Sequence, residues 1–556
     1  MKQAGKIQIP DSPWVKAVLI CLVFAGMYLA IAASSTLWDR DEPRYARVTV
    51  EMVESGNYLV PTFNGEAWPD KPILLYWLMS IPVRLLGPTE VACRFFGVAG
   101  TAITLLLTFF IGKTLFGTRA GLWSEVILGT TALMIMVGSS AIVDGVLMPF
   151  IVGAMAVFVR RSGRTIRFID VLVCGILMGL GMLAKGPIGL MPVPVMAVVL
   201  WFGRRSRPGL IRNFSMVCLM TIVAIGIFLA WAIPANKATG GELFRVFVGK
   251  HILARSFKPM EGHGGNFFLY LFYYPAVMIA GFFPWVVFLP GAFSAVIGKR
   301  IGTGESRNIL ISWIVVTVIL MTLAATKLPH YILFAWPAMA IMAGGTIATG
   351  RSVLNERDEK WLRGGVWFLG PVGLAVASGL IAGGYLLKEE GLKTPGLICG
   401  LEILAMTAIC CILQIRERFT ASAGAIWAGV VILMAPLLFG LLPAIEAIKI
   451  SPPIAAAIKE KTGSDVPVAT YKYAEPTLNF YIGRKINELR KEAKVIEWLK
   501  NRGQRVLIIP RKDLDVIRQK IETADFEEIA SKKGINYSKG KEVEVVALLV
   551  KTQTRK

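Results

Sequence analysis

Residues 169–202, IDVLVCGILMGLGMLAKGPIGLMPVPVMAVVLWF, carry only two charged side chains, Asp170 and Lys185. A helix that crosses a bilayer uses about 20 apolar residues, so this run is too long for one crossing and long enough for two. The turn it needs is "AKGPIG" at 184–189, where Pro187 and its flanking glycines interrupt a helix. Two spans, 169–184 and 186–202, therefore stand back to back. Working outward, comparable runs lie at 15–36, 89–112, 120–138, 142–159, 214–234, 267–297, 308–325, 331–349, 364–387, 396–415 and 421–443. The reading is a mainly α, polytopic membrane protein with thirteen transmembrane helices. Composition agrees: 55% of the 556 residues are hydrophobic and the mean hydropathy is +0.60.

Charge tests the count. With thirteen spans, every second connection is basic: Lys113 and Arg119, "RRSGRTIR" at 160–167, "RRSRPGLIR" at 204–212, "KRIGTGESR" at 299–307, "RSVLNERDEKWLR" at 351–363, and Arg416 with Arg418. Lys2, Lys6 and Lys16 join them, so the positive-inside bias predicts a cytoplasmic N-terminus. Removing one span scrambles the alternation. The net charge of +23 thus reports membrane orientation and not a nucleic-acid partner. The first run, "IAASS" at its end included, is expected to stay in place and not be cleaved as a leader, because more spans follow. Seven cysteines lie nearly all within apolar runs, as small core residues do.

The opposite face receives the loops 37–88 and 235–266, the turns near 139–143, 184–189 and 325–330, and the tail from Glu446. All three histidines (His251, His263, His330) fall there, with Asp41, Glu42, Asp70, Lys71, Asp144, Lys185 and Lys327. One face is topogenic and the other chemically varied, which predicts a site on the second. In the tail, 466–471, 505–510 and 543–550 read as strands, with amphipathic helices at 492–501 and 511–521 between them. The expected domains are 1–444 in the membrane and a small α/β domain at 445–556. The tail has no Gly-rich phosphate loop, histidine or cysteine, and is assigned no chemistry.

Each candidate has a plainer reading. Trp68, Tyr76 and Trp77 suit interfacial anchors. Asp144, the lone acid between Glu125 and Asp170, opens a span where a carboxylate caps a helix. Lys185 and Lys327 mark outer turns, where lysines snorkel to lipid phosphates or hold one as a ligand. "DRDEPRYA" at 39–46 packs complementary hydrogen-bonding groups into one helical turn, more than an anchor requires.

"DRDEPRYA", "DKPILLYW" at 70–77, Asp144, "LAKG" at 183–186, "GKHILARSF" at 249–257, "AGFFPWVVFLPGA" at 280–292 and "ATKLPHYIL" at 325–333 occur in the order seen in bacterial aminoarabinose transferases. The chain thus resembles this family, part of the membrane glycosyltransferase group that includes protein O-mannosyltransferases, over roughly its first 350 residues. The resemblance implies a GT-C fold with a periplasmic α/β domain, in a bacterial inner membrane. It implies transfer of an aminoarabinose-type pentose from a polyprenyl phosphate, typically undecaprenyl phosphate, to a lipid A phosphate on the periplasmic face. By motif position Asp41 and Asp144 are its catalytic acids. Glu42, Arg44, Tyr45, Lys71, Lys185, Arg255, Lys327 and Tyr331 are its substrate-binding residues. Asp70 and His251 match a zinc pair, with Asp70 standing where the family carries glutamate.

Such a donor is already activated, in keeping with the absence of a nucleotide-binding motif and nucleotide cofactor. Lys71, Arg44 and Lys185 are candidates for its phosphate. A phosphate acceptor is ionised and needs no base; a hydroxyl acceptor needs one, and Asp41 is the first choice. The alternatives are transfer of another sugar, such as mannose, to protein or glycan hydroxyls, and a lipid or sugar transporter. A transporter calls for charges at mid-membrane depth and broken helices in related halves, against charges gathered at one rim.

Overall fold

The computed structural model describes residues 12–161, 163–203, 207–247, 249, 267–387, 389–501, 503–521, 524–537 and 539–552. Among these, ten helices are long and apolar enough to cross a membrane, twelve if two bent pairs each count once. The first is α1 (Pro13–Ala33), with proline in its first turn, where no amide hydrogen is missed. The first loop then holds α2 (Asp41–Ser55), the hairpin β1–β2 (Thr62–Phe63, Glu66–Ala67) and α3 (Leu74–Leu86). Next come α4 (Glu90–Phe116), α5 (Thr118–Gly129), α6 (Ala132–Gly138), α7 (Val143–Arg160) and α8 (Phe168–Lys185). Helices α4 and α7 meet through glycine: a Cβ on Gly100 would stand 2.3 Å from the Gly145 carbonyl oxygen. That contact sits one residue from Asp144 and fixes its height.

The expected span at 186–202 is built differently. Its helix, α9 (Pro192–Phe202), has 11 residues, about 16 Å of rise, against a hydrocarbon core of about 30 Å. A 3-10 turn, Gly186–Leu190, supplies further length. Together they carry the chain from Lys185 to the far end of the bundle, where Asn308 donates to the Val199 carbonyl at 2.9 Å.

After α10 (Arg207–Ala238), the expected span 267–297 is α11 (Phe267–Gly281) followed by a segment 285–297 bent away by 110°, ending in α12 (Leu289–Ile297). Residues 118–138 break similarly, by 69° between α5 and α6. The breaks face each other: Ala132 N–H donates to the Phe283 carbonyl at 2.9 Å, and the Trp285 indole to the Thr130 hydroxyl at 2.7 Å. Each break thus satisfies the polar groups freed by the other, a condition for irregular backbone inside a membrane. The remaining bundle is α13 (Gly304–Leu323), a 3-10 turn Pro329–Ala335 leading into α14 (Trp336–Thr349), α15 (Glu356–Gly364), α16 (Val366–Leu386), α17 (Glu390–Ile415) and α18 (Phe419–Pro436).

The tail folds as a five-stranded mixed sheet. Strand order is β4 (Ile486–Leu489), β3 (Val468–Tyr471), β5 (Gly503–Pro510), β7 (Lys541–Thr552), β6 (Ala524–Asn536). The first three are parallel; β7 runs antiparallel to both neighbours. Helices α19 (Ser451–Lys461), α20 (Pro476–Ile482), α21 (Glu492–Leu499) and α22 (Arg511–Arg518) complete it. Strands β4 and β6 and helices α19 and α20 go beyond the elements read from sequence. β4 is short, and β6 is too polar to show an apolar run.

Candidate functional site

The first loop builds one wall. Asp41 and Glu42 occupy the first turn of α2, where carboxylates favour the helix dipole. The two have opposite fates. Glu42 is buried and accepts from the Arg94 guanidinium at 2.9 and 2.7 Å, from Trp38 N–H at 2.7 Å and from Ala141 N–H at 2.5 Å. Arg94 gives its remaining N–H groups to the carbonyls of Ala32, Ser35 and Thr36. All five guanidinium donors are satisfied, so this pair ties the end of α1 and the start of α2 to α4 and to the turn before α7. The expected substrate contact at Glu42 is therefore corrected: its oxygens all face inward.

Asp41, by contrast, has a side chain 51% exposed, 3.9 Å from Arg44. The Arg44 guanidinium lies 5.8 Å from the centre of the Trp68 ring. Lys71 pairs with Asp70 at 2.7 Å and stands 5.8 Å from the Tyr45 ring centre. Tyr45 is buried edge-on to Tyr76. Burial, and then the charges of Asp41, Asp70 and Asp144, push the Tyr45 phenol well above its ordinary value, which keeps it neutral.

The span ends build the other wall. Asp144 makes no capping bond; both its oxygens accept from the Lys185 ammonium, at 2.7 and 2.9 Å. His330 Nε2 lies 3.7 Å from the same carboxylate. Lys185 also stands 4.7 Å from the Tyr331 ring centre, and His330 meets that ring edge-on. The two walls share one neighbourhood, because the charge of Lys71 acts on Asp144, and those of Asp41 and Lys71 act on His330.

Lys327 is a second correction. Its ammonium donates to the carbonyls of Met321 at 3.1 Å, Thr322 at 2.5 Å and Ala324, closing the C-terminal end of α13. Burial draws it below the ordinary lysine value. Arg255 and His251 lie outside the described residues. Of the expected zinc pair only Asp70 can be placed, and its carboxylate is occupied by an ammonium. Among the described residues no three histidine, cysteine or acidic side chains converge to hold a metal.

Sequence reading did not single out Arg94, and it placed His330 on the outer face without giving it a role. The signal for Arg94 was a lone guanidinium inside an apolar run; for His330, its place beside "KLP". The tail also reaches the first loop. Asp39 accepts from the Thr477 N–H at 2.9 Å and hydroxyl at 2.6 Å, on α20. The Tyr481 hydroxyl accepts from Leu37 N–H and donates to Glu90, both at 2.8 Å. Arg47 donates to the Gly483 carbonyl, and Asn64 exchanges two bonds with Ile486. Burial, and next the charge of Glu475, raise Asp39 to about 7.

The protein family described as dolichyl-phosphate-mannose-protein mannosyltransferase matches residues 70–233. Undecaprenyl phosphate-alpha-4-amino-4-deoxy-L-arabinose arabinosyl transferase of Pectobacterium atrosepticum is 28% identical over 441 residues, covering 77% of this chain and 76% of the relative. The enzyme of that name from Erwinia tasmaniensis is 31% identical over 330 residues, covering 59% and 58%. Among solved structures, ArnT from Cupriavidus metallidurans bound to undecaprenyl phosphate superposes with a TM-score of 0.76 at 18% identity, over 95% of this chain and 97% of that one.

Proposed function

From the premise that this chain is an aminoarabinose-transferase-like protein of the GT-C fold, we propose that it is an integral membrane glycosyltransferase. It takes a sugar, an aminoarabinose-type pentose, from a polyprenyl phosphate and passes it to a lipid A phosphate. The site then faces the periplasm of a bacterial inner membrane, with the N-terminus in the cytoplasm. The observation that carries the reading is the gathering of Asp41, Arg44, Lys71, Asp144 and Lys185 at one end of an apolar bundle.

In the reaction the bond between the anomeric carbon and the donor phosphate oxygen breaks, and an acceptor oxygen bonds to that carbon. The bonding electron pair leaves with the donor oxygen: the acceptor phosphate gives up one negative charge in its new bond, and the departing polyprenyl phosphate gains one. Lys71 and Lys185 hold it, each already drawn to a carboxylate that fixes its position. Arg44, stacked on Trp68, offers a third cation. Asp41, the more exposed acid, binds the sugar's polar groups and orients the anomeric carbon. Tyr45 adds a neutral hydrogen bond.

One observation favours a second reading, transfer to a hydroxyl of a protein or glycan. His330 beside Asp144 is an available proton acceptor, and a phosphate acceptor needs none. The test is to incubate the purified protein in vesicles with labelled undecaprenyl-phosphate aminoarabinose and lipid A, then weigh the lipid A. A pentosamine added at a phosphate is the expected product. Labelled protein or glycan with unchanged lipid A selects the second reading, and label crossing the bilayer without a new glycoside overturns both.

A further inference from the structure

The mechanism leaves unused a cavity of about 660 Å3 in the elbow of the 110° bend. Its walls are apolar: Met278 and Ile279 near the bend, Phe293 beyond it, and Val318 of α13 opposite. Its mouth is of another kind, with Arg300, Arg357 and Trp361 around it. Helix α13 has 20 residues, about 30 Å of rise. Lys327 closes its C-terminal end next to the reaction site, and Arg300 lies four residues before its start, so the mouth at Arg300 opens toward the far side of the bundle.

The mouth is built. The Arg300 guanidinium is paired at 3.2 Å with Asp358, a fully buried carboxylate that also accepts from Ser294 at 2.6 Å. One of its terminal nitrogens occupies the space a side chain would fill at position 298: a Cβ on Gly298 would collide with it. Arg300 is thus held on one edge while its side chain stays 26% exposed. Trp361, 48% exposed, sits where indoles anchor at the headgroup level. Two cations and an indole above a greasy slot open to the bilayer match one chemistry, an anionic headgroup with an acyl chain beneath it.

We propose that this groove is a binding site for an anionic phospholipid of the leaflet opposite the reaction site. Its phosphate is held by Arg300 and Arg357, and one acyl chain lies along Phe293 and Val318 toward the bend. The cavity falls within the range of about 300–1,000 Å3 typical of small-molecule sites. A chain entering from the far face needs to reach about half of a 30 Å hydrocarbon core to meet Met278. The site is independent of the sugar chemistry proposed above.

The test is native mass spectrometry of the full chain released from detergent, titrated separately with dioleoyl phosphatidylglycerol, dioleoyl phosphatidylcholine and undecaprenyl phosphate. One phosphatidylglycerol is expected to be retained preferentially over phosphatidylcholine. The double variant Arg300→Gln, Arg357→Gln is expected to lower that preference by about ten-fold or more. Arg357→Gln alone, on an exposed residue, serves if the double variant does not fold, and is expected to lower it by about half as much on a logarithmic scale. Val318→Trp, which fills the groove and leaves the arginines, is expected to abolish retention. Unchanged phosphatidylglycerol retention in these variants overturns the proposal. So does undecaprenyl phosphate displacing phosphatidylglycerol one for one, which would assign the groove to isoprenoid chains.

Discussion

Glu42 and Asp144 are both buried carboxylates at the same end of the bundle, each bound to a cation, yet their surroundings differ in kind. Glu42 meets a guanidinium whose every N–H is taken and two backbone amides besides. Asp144 meets an ammonium on a flexible stem, with an imidazole and a tyrosine ring beside it. The first arrangement has no vacancy for a ligand and links four segments of the chain. The second places groups that can exchange partners, bind phosphate or move a proton. A closed hydrogen-bond inventory marks scaffold, and an open one marks chemistry.

The contrast can be broken in order of expected effect. Arg94→Met leaves Glu42 buried without its cation and is expected to cost about 3–5 kcal/mol, so the protein fails to accumulate or unfolds far earlier in detergent. A stable, inactive Arg94→Met would move this pair from scaffold to chemistry. Asp144→Asn is expected to keep the fold while lowering single-turnover transfer by about 100- to 1,000-fold, with normal thermal unfolding as the control. Asp41→Asn should lower transfer by about 10- to 100-fold with stability unchanged, since the side chain is half exposed. Full activity would remove Asp41 from the reaction.

The smallest expected effect concerns Asp39. Its folded value of about 7 is raised from 3.8 by burial and then by Glu475. A raised carboxylate binds its proton more tightly in the docked state. Its contribution is therefore complete below about pH 4 and declines as pH rises toward 7. Hydrogen exchange in residues 476–482, corrected for intrinsic rate, should show protection falling from pH 5 to pH 8, and Asp39→Asn should flatten that profile. A flat profile in the parent protein denies the linkage.

Sequence reading went furthest where a physical signal is continuous along the chain. Apolar length located the spans, and the "AKGPIG" interruption in the 169–202 run became the observed Gly186–Leu190 turn. It did not foresee how residues 186–202 are built, because hydropathy measures greasiness and not rise: part of the length comes from a 3-10 turn and only 11 residues from α9. The bends at 130 and 284 escaped because each depends on the other. Motif position grouped Asp41, Lys71, Asp144 and Lys185 on one face, and the structure gathers them at one end of the bundle, but motif position could not give the bonds between them. Nothing in one dimension says that Lys185 meets Asp144 while Lys327 folds back on its own helix. The docking of α20 on the first loop had no sequence signal, because a threonine and a tyrosine in the tail look like any others.

That docking has a consequence for how the protein is assembled. The Leu37–Tyr481 hydrogen bond joins positions 444 residues apart. At about 5–20 residues per second, the ribosome takes roughly 20 to 90 s to make the second partner after the first has emerged. During that interval the loop bearing Asp41 waits without its far support. A chain that stops before Thr477 is expected to lack the Asp39–Thr477 and Leu37–Tyr481 bonds and to leave that loop without its far support.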